Sequence, residues 1–349
     1  MEYDPKIDHR MVLDTPGNFD SFRVEAQTQT ELAEDEVRIR VKAAGLNFRD
    51  VLSALGQLPE GDPSRDMRGS ECSGTVIEVG EAVEHLSVGD QVIALSNYSF
   101  STNLVTKGHM ATLLPELLSY ADGASIPITF LTVDYALNEA ARLCAGERIL
   151  IHAGAGGVGL AAVQLAQRIG AEVYATAGQD FKRDYLRSIG VEHVLDSRSL
   201  DFVEGINELT GGEGVDVVLN ALAGEFIPAS MSLLKPFGRF VEIGKKDIYA
   251  DTQLGLYPFR NNLSYFGIDL GQFSVHRKED LLDMFEGLML RFSSGELIPS
   301  PVREFDFEEM GKGFEYLART QHIGKVVFTI DQNMSEEDQA QILALWNKV

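Results

Sequence analysis

Residues 147–170 read ERILIHAGAGGVGLAAVQLAQRIG, and this stretch decides the fold. ERILIHA is a short apolar run of the length of a buried strand. It passes directly into Gly154, Ala155, Gly156, Gly157, Val158 and Gly159, and GLAAVQLAQRIG then continues as a long amphipathic helix. In a G-x-G-x-x-G turn the first glycine permits the tight bend, the second lets backbone approach a pyrophosphate, and the third lets helix pack on strand. The helix N-terminus faces the phosphates. With a strand before it and a helix after it, the motif predicts a dinucleotide site rather than a plain structural turn.

Downstream, the strand EVYATA (172–177), a helix through KRDYLRSIG (182–190), and the strands HVLD (193–196), VDVVLNAL (215–222) and GRFVEIG (238–244) follow. Strands alternating with helices predict an α/β fold with a doubly wound parallel sheet. An NAD site would place Asp or Glu about 20 residues beyond the glycines, on the ribose 2′-hydroxyl. Here the strand ends in Thr176, Ala177 and Gly178, with Lys182 and Arg183 following, and Arg198 stands in the turn after the next strand. These cations suit a 2′-phosphate, so NADPH is expected; the competing reading is that they are ordinary surface charges.

Upstream, FRVEAQ, EVRIRVKAAGLNF, SGTVIEVG and DQVIAL alternate apolar and polar residues between Gly, Asp and Glu clusters, which predicts a mainly antiparallel, barrel-like region. From about Thr129 the pattern turns helical through YALNEAARL. The last 80 or so residues mix a helix at HRKEDLLDMFEGLMLRF with the strand KVVFTI and are expected to return to the first domain. The predicted division is a substrate-binding domain over 1–125, a nucleotide-binding domain over 126–268, the returning part of the first over 269–332, and a tail or linker over 333–349.

The chain has 349 residues, 44% of them hydrophobic and 24% charged, which excludes disorder and collagen-like structure. Its 30 basic and 53 acidic residues leave a net charge of -23, a field that repels nucleic acid and anionic membrane. No window approaches the roughly 18 to 20 apolar residues of a membrane span, and MEYDPKIDHR lacks the apolar stretch of a secretory signal, so a cytoplasmic location is expected. Cys72 and Cys144 are the only cysteines, too few for a disulfide framework or a four-cysteine zinc site.

A barrel-like N-terminal part, a nucleotide-binding domain and a returning segment together resemble the medium-chain dehydrogenase/reductase superfamily, whose N-terminal domain is GroES-like. Its zinc alcohol dehydrogenases need cysteine and histidine ligands early in the chain. The corresponding stretches here, Gly45 to Asp50 and Gly69 to Cys72, offer one thiol and no histidine, so hydride transfer without a metal is expected. Within the zinc-free branch the chain resembles the enoyl reductase domains of type I polyketide synthases. The matching strings are LNFRDVLSALG (46–56), RGSECSGTV (68–76), HAGAGGVGLAAVQLA (152–166), LDSRSLDF (195–202), VDVVLNALAGE (215–225), GRFVEIGKKDI (238–248) and HIGKVV (322–327).

The resemblance implies reduction of an enoyl thioester carried on an acyl carrier protein, by a piece of a megasynthase whose neighbours are other synthase domains. Monomeric and dimeric arrangements both occur among such relatives. Conjugate reduction puts hydride on the β-carbon, drives charge onto the thioester oxygen and then protonates the α-carbon, so oxyanion donors and an acid are needed. By resemblance Lys245 and Asp269 match a proton-donating pair; the alternative is that Lys245 anchors a ribose or a loop, with Asp269 as counter-ion. Asn47 is the expected contact to nicotinamide or thioester, and Thr132 is a second candidate near the nicotinamide. Asn220, Ile243, Gly244, Ile323 and Gly324 join the cofactor-binding set, the last two as amide donors or as a plain turn.

Two departures from the pattern concern the substrate channel. Where many relatives carry a tyrosine after LNFRDVL, this chain has Gln57, Leu58, Pro59 and Glu60, and Leu58 cannot donate a proton. Asp134 stands where relatives have an aromatic residue, facing either the channel or solvent. Three other readings stay open: cyclopropane closure on a γ-halogenated enoyl thioester by the same fold, reduction of a free quinone or enone, and a non-catalytic scaffold.

Overall fold

Ile149, Leu150 and Ile151 are wholly buried, as are Val217 and Val218, because the strands that carry them lie in the middle of a parallel sheet covered by helices on both faces. The structure, a computed structural model, describes residues 7–330 apart from 29, 59–64 and 66–68. The expected tail over 333–349, Pro59 and Glu60 of the tyrosine-replacing stretch, and Arg68 lie outside the described residues.

Two units divide the chain, one holding residues 1–127, 302–322 and 326–349, the other 128–301 and 323–325. In the second unit six strands lie in the order His193–Leu195, Glu172–Thr176, Arg148–Ile151, Val215–Asn220, Leu234–Glu242, Ser264–Gly267. Every pairing is parallel. In chain order this is 3-2-1-4-5-6, the doubly wound arrangement that the alternation of strands and helices predicts. The helix Gly157–Ile169 buries Leu160, Ala161, Val163 and Leu165 and ends at Gly170, whose φ of 87° is the left-handed stop that glycine supplies.

The first unit is built on a seven-stranded sheet in which Glu36–Leu46 pairs antiparallel with Glu71–Val79, Asn103–Lys107 and Lys325–Thr329. Phe100, Phe314 and Phe328 form its aromatic centre, with ring centroids 5.4 Å apart for Phe100 and Phe328. Two of these three rings come from the returning segment. The return starts later than the sequence pattern suggests: residues 269–301, expected in the first domain, belong to the second unit. The helix Lys278–Ser293 is amphipathic, which says that it covers a core without saying whose. Its Phe292 meets Phe130 edge-on at 4.9 Å, and Phe130 lies on the second unit's helix Pro127–Asp134. That helix begins before the expected one and widens to a π turn over Tyr135–Ala140. No helix among the described residues is long and apolar enough to cross a membrane.

Candidate active site

The glycine turn is built against its own backbone. A Cβ on Gly159 would lie 2.4 Å from the Ala153 carbonyl oxygen and 2.6 Å from Gly154 Cα, so helix and turn approach here as only glycine allows. Gly154 would press on Ala175 Cβ at 3.0 Å, while Gly157 faces the Lys325 and Thr129 side chains. Gly156 differs: its Cβ would meet only the Ala153 carbonyl oxygen, at 3.4 Å, and the protein leaves that side open. Gly156 also caps the helix without a side chain, and Val158 lies half-buried in the first turn. Backbone donors at an uncapped helix N-terminus, over a space that a Cβ would fill, fit the pyrophosphate of a dinucleotide.

Beneath the turn, His152 is buried, its Nδ1 2.9 Å from Thr176 Oγ1 and its Nε2 2.8 Å from Ser230 Oγ. Burial pushes its pKa down to about 3, so the ring is neutral and ties two strand ends to the helix Phe226–Met231. Thr176, expected at the cofactor, therefore spends its hydroxyl inside the sheet and is fully buried.

The three cations expected at the 2′-phosphate separate by what surrounds them. Arg183 donates to the Ala177 carbonyl at 2.9 Å, pairs with Asp196 at 3.2 Å and contacts Asp180, and so clamps the turn. Lys182 is 8% exposed with no carboxylate in ion-pair reach among the described residues, and burial pushes its pKa down to about 8. Arg198 is exposed and runs beside Gly178, its Nε 3.3 Å from where a Cβ would stand. A buried, unanswered ammonium is costly unless an anion completes it.

At the far side of the sheet, Lys245 and Asp269 come together from the ends of adjoining strands, Nζ to Oδ2 3.3 Å. The lysine also donates to the Ile268 carbonyl, and Asp269 Oδ1 accepts from the Gly271 N–H at 3.0 Å. Lys246 is exposed. Asn220 is buried and its amide is committed, donating to the Leu222 carbonyl at 2.7 Å and to Glu242 Oε2 at 2.6 Å, so it holds the protein rather than a ligand. Ile243 donates its N–H to the Asn220 carbonyl at 3.0 Å, and Gly244 donates its N–H to Glu242 Oε1 at 2.6 Å. Glu242, which no sequence motif singles out, is 2% exposed and pushed up to about 7 by burial. A lone carboxylate inside the apolar run GRFVEIG was the available signal.

Gly324 has φ +71° and a Cβ there would lie 2.1 Å from the Pro301 carbonyl oxygen. Its N–H donates to the Ala155 carbonyl at 2.9 Å, so this amide pins residues 323–325 to the glycine turn and is not offered to a substrate. Ile323, beside it, is half-buried, as is Thr132. Asp134 pairs with Arg291 at 3.3 Å and accepts from Asn138 at 2.8 Å, joining two helices of its own unit. Burial raises its pKa while Arg291 opposes the rise.

In the first unit, Asn47 opens the helix Phe48–Ala54 and donates from Nδ2 to the buried Glu71 at 2.8 Å. Asp50 accepts from the Asn47 N–H at 2.9 Å and from the Gly69 N–H at 3.2 Å, which makes it a helix cap. Leu58 is 5% exposed. Cys72 is buried, and burial pushes its thiol up to about 12. Among the described residues no three His, Cys, Asp or Glu side chains converge as a metal group.

A 3-2-1-4-5-6 parallel sheet with a glycine-opened helix, in one chain with a mainly antiparallel unit, defines the class: an oxidoreductase of the medium-chain dehydrogenase/reductase fold. Family models agree, residues 33–130 matching "Alcohol dehydrogenase GroES-like domain" and residues 157–287 matching "Zinc-binding dehydrogenase". The crystal structure of CurK enoyl reductase is 39% identical with a TM-score of 0.84, covering 93% of this chain and 99% of that one. The CurF ER cyclopropanase from the curacin A biosynthetic pathway is 34% identical with a TM-score of 0.86, covering 93% of this chain and 100% of that one. A phenolphthiocerol/phthiocerol polyketide synthase of Mycobacterium tuberculosis is 41% identical over 328 residues, 94% of this chain; the match spans only 15% of that synthase's length. The chain belongs to the polyketide synthase enoyl reductase family of the medium-chain dehydrogenase/reductase superfamily.

Proposed function

We propose that the chain is an NADPH-dependent reductase of α,β-unsaturated thioesters carried on an acyl carrier protein, working among the domains of a polyketide synthase. The observation that carries this reading is the Lys245–Asp269 pair, 3.3 Å apart at the carboxyl ends of adjoining strands in the sheet that bears the glycine turn. Open parallel sheets bind ligands outside those ends. When bound, NADPH supplies the hydride that reaches the β-carbon. The Lys245 ammonium, oriented by Asp269 and the Ile268 carbonyl, opposes charge developing on the thioester oxygen and holds the proton for the α-carbon. Asn47 enters as a contact to the thioester on the resemblance alone. An acyl carrier protein is commonly acidic, and with -23 on this chain the encounter relies on tethering in one polypeptide rather than attraction.

Lys182 favours NADPH over NADH. Its pKa of about 8 in the free protein is depressed by burial, and a 2′-phosphate favours the ammonium and raises it. Binding of NADPH therefore takes up a proton where free Lys182 is neutral. NADPH affinity is expected to be flat between about pH 7 and 8, where the 2′-phosphate is a dianion, and to weaken by up to about tenfold per unit above it, with NADH unaffected. Lys182→Ala should remove both the pH dependence and at least about tenfold of the preference, measured by fluorescence titration with each cofactor. A preference unchanged in that variant would assign the phosphate elsewhere.

Product analysis by mass spectrometry, after incubation with NADPH and carrier-bound crotonyl and γ-chlorocrotonyl thioesters, tests the reaction. Two hydrogens gained on both substrates supports the enoyl reductase reading. Loss of chloride with ring closure assigns cyclopropane formation instead, the second reading, with which Leu58 in place of a tyrosine is compatible. Turnover of free quinones without turnover of thioesters, or NADPH binding without any turnover, would overturn both.

A further inference from the structure

Glu242 is the last residue of the strand Leu234–Glu242, and three residues later the chain delivers Lys245. Its two carboxylate oxygens face two different N–H donors: Oε2 accepts from Asn220 Nδ2 and Oε1 from the Gly244 N–H, each at 2.6 Å. Its backbone carbonyl accepts from the Ile268 N–H at 2.9 Å, and the carbonyl of that same residue receives the Lys245 ammonium. A Cβ on Gly244 would lie 2.7 Å from Glu242 Oε1, so glycine is what lets the carboxylate reach that amide. Asn220 cannot reverse its amide, because its Oδ1 accepts from the Leu222 N–H while its Nδ2 donates to the Leu222 carbonyl.

A side chain between two fixed donors must accept at both ends, and the ionised carboxylate does so with charge on both oxygens. A proton on either oxygen weakens it as an acceptor and adds a donor that needs a partner of its own. We propose that Glu242 is the positioning residue for Lys245: its carboxylate, bridging the Asn220 amide and the Gly244 N–H, shapes the bend that holds the ammonium at Ile268 and Asp269. The assignment rests on the function proposed above only in so far as Lys245 is the proton donor of that reaction.

The charged and titratable groups around Glu242 are the Lys245 ammonium, which favours its ionised form, Asp247 on the following helix, which disfavours it, and the Tyr265 hydroxyl on the neighbouring strand. Burial outweighs the rest and pushes Glu242 up to about 7. Proton loss near neutrality therefore completes the bridge, and turnover should rise with pH through this range.

The test is competitive acetylation by acetic anhydride across pH 5.5 to 9, with Lys245 read by peptide mass spectrometry against the exposed Lys246 and Lys278. As Glu242 ionises and completes the bridge, the Lys245 ammonium is held at Ile268 and Asp269, so its relative labelling should step down with rising pH in the unaltered protein. In Glu242→Gln the step should vanish and labelling above pH 7 should rise about three- to tenfold, because the ammonium is no longer held at its two acceptors. In the same variant the acid limb of kcat for crotonyl-pantetheine should disappear, with kcat lower by about tenfold. A Lys245 profile without a step in the unaltered protein overturns the proposal even where the variant fails to fold. A step without any thioester reduction overturns the proposed function and leaves the positioning role standing.

Discussion

Gly156→Ala is expected to leave the fold intact and to weaken NADPH binding by about 100-fold, roughly 2.7 kcal/mol, whereas Gly159→Ala loses stability and binding together. The contrast follows from what each new methyl group meets. At Gly159 it would lie 2.4 Å from the Ala153 carbonyl oxygen and 2.6 Å from Gly154 Cα, both backbone atoms of the turn, so the helix must move off the strand. Overpacking of this kind costs about 1 to 3 kcal/mol. At Gly156 it meets only the Ala153 carbonyl oxygen at 3.4 Å, and what it fills is the space in front of the helix N-terminus. Thermal melts without cofactor, paired with fluorescence titration, separate the two effects. Unchanged NADPH affinity in Gly156→Ala would mean that the pyrophosphate does not lie over this turn.

Lys245→Ala is expected to lower kcat for an enoyl thioester by about 10² to 10⁴, the range for removing a positioned proton donor, with the NADPH dissociation constant within a few-fold of the unaltered protein. The geometry supports a clean substitution. Lys245 is held by the Ile268 carbonyl and by Asp269 at 3.3 Å, and Asp269 keeps its Gly271 contact at 3.0 Å after the lysine is gone. The opposite pattern, kcat nearly intact and cofactor affinity lost, would make Lys245 an anchor for a ribose. Measuring kcat and the dissociation constant separately distinguishes the two roles.

The glycine turn was legible because its determinants are local: strand, bend and helix follow one another without interruption from Arg148 to Ile169. The parallel sheet followed from the alternation of short apolar runs with helices. The sequence alone also showed that the stretches around Gly45 and Gly69 offer one thiol and no histidine, since residue type needs no coordinates. The Lys245–Asp269 match came from resemblance, and the two residues are distant in the chain. The parallel register that sets Glu242 opposite Gly267 is what brings the following residues together.

Tertiary structure decided which of several chemically equivalent residues is available. Lys182 and Arg183 are neighbours in the sequence, yet Asp180 and Asp196 meet the charge of Arg183 while Lys182 is buried with no carboxylate in ion-pair reach among the described residues. Thr176 carries the same hydroxyl wherever its strand ends, but His152 lies 2.9 Å from it. Asp134 became an ion pair because Arg291 stands on a helix that an amphipathic pattern could have assigned to either core. Glu242 escaped notice for the same reason: two donors, one from a neighbouring strand and one from its own bend, give a buried carboxylate its purpose, and such convergence exists only once the chain is folded.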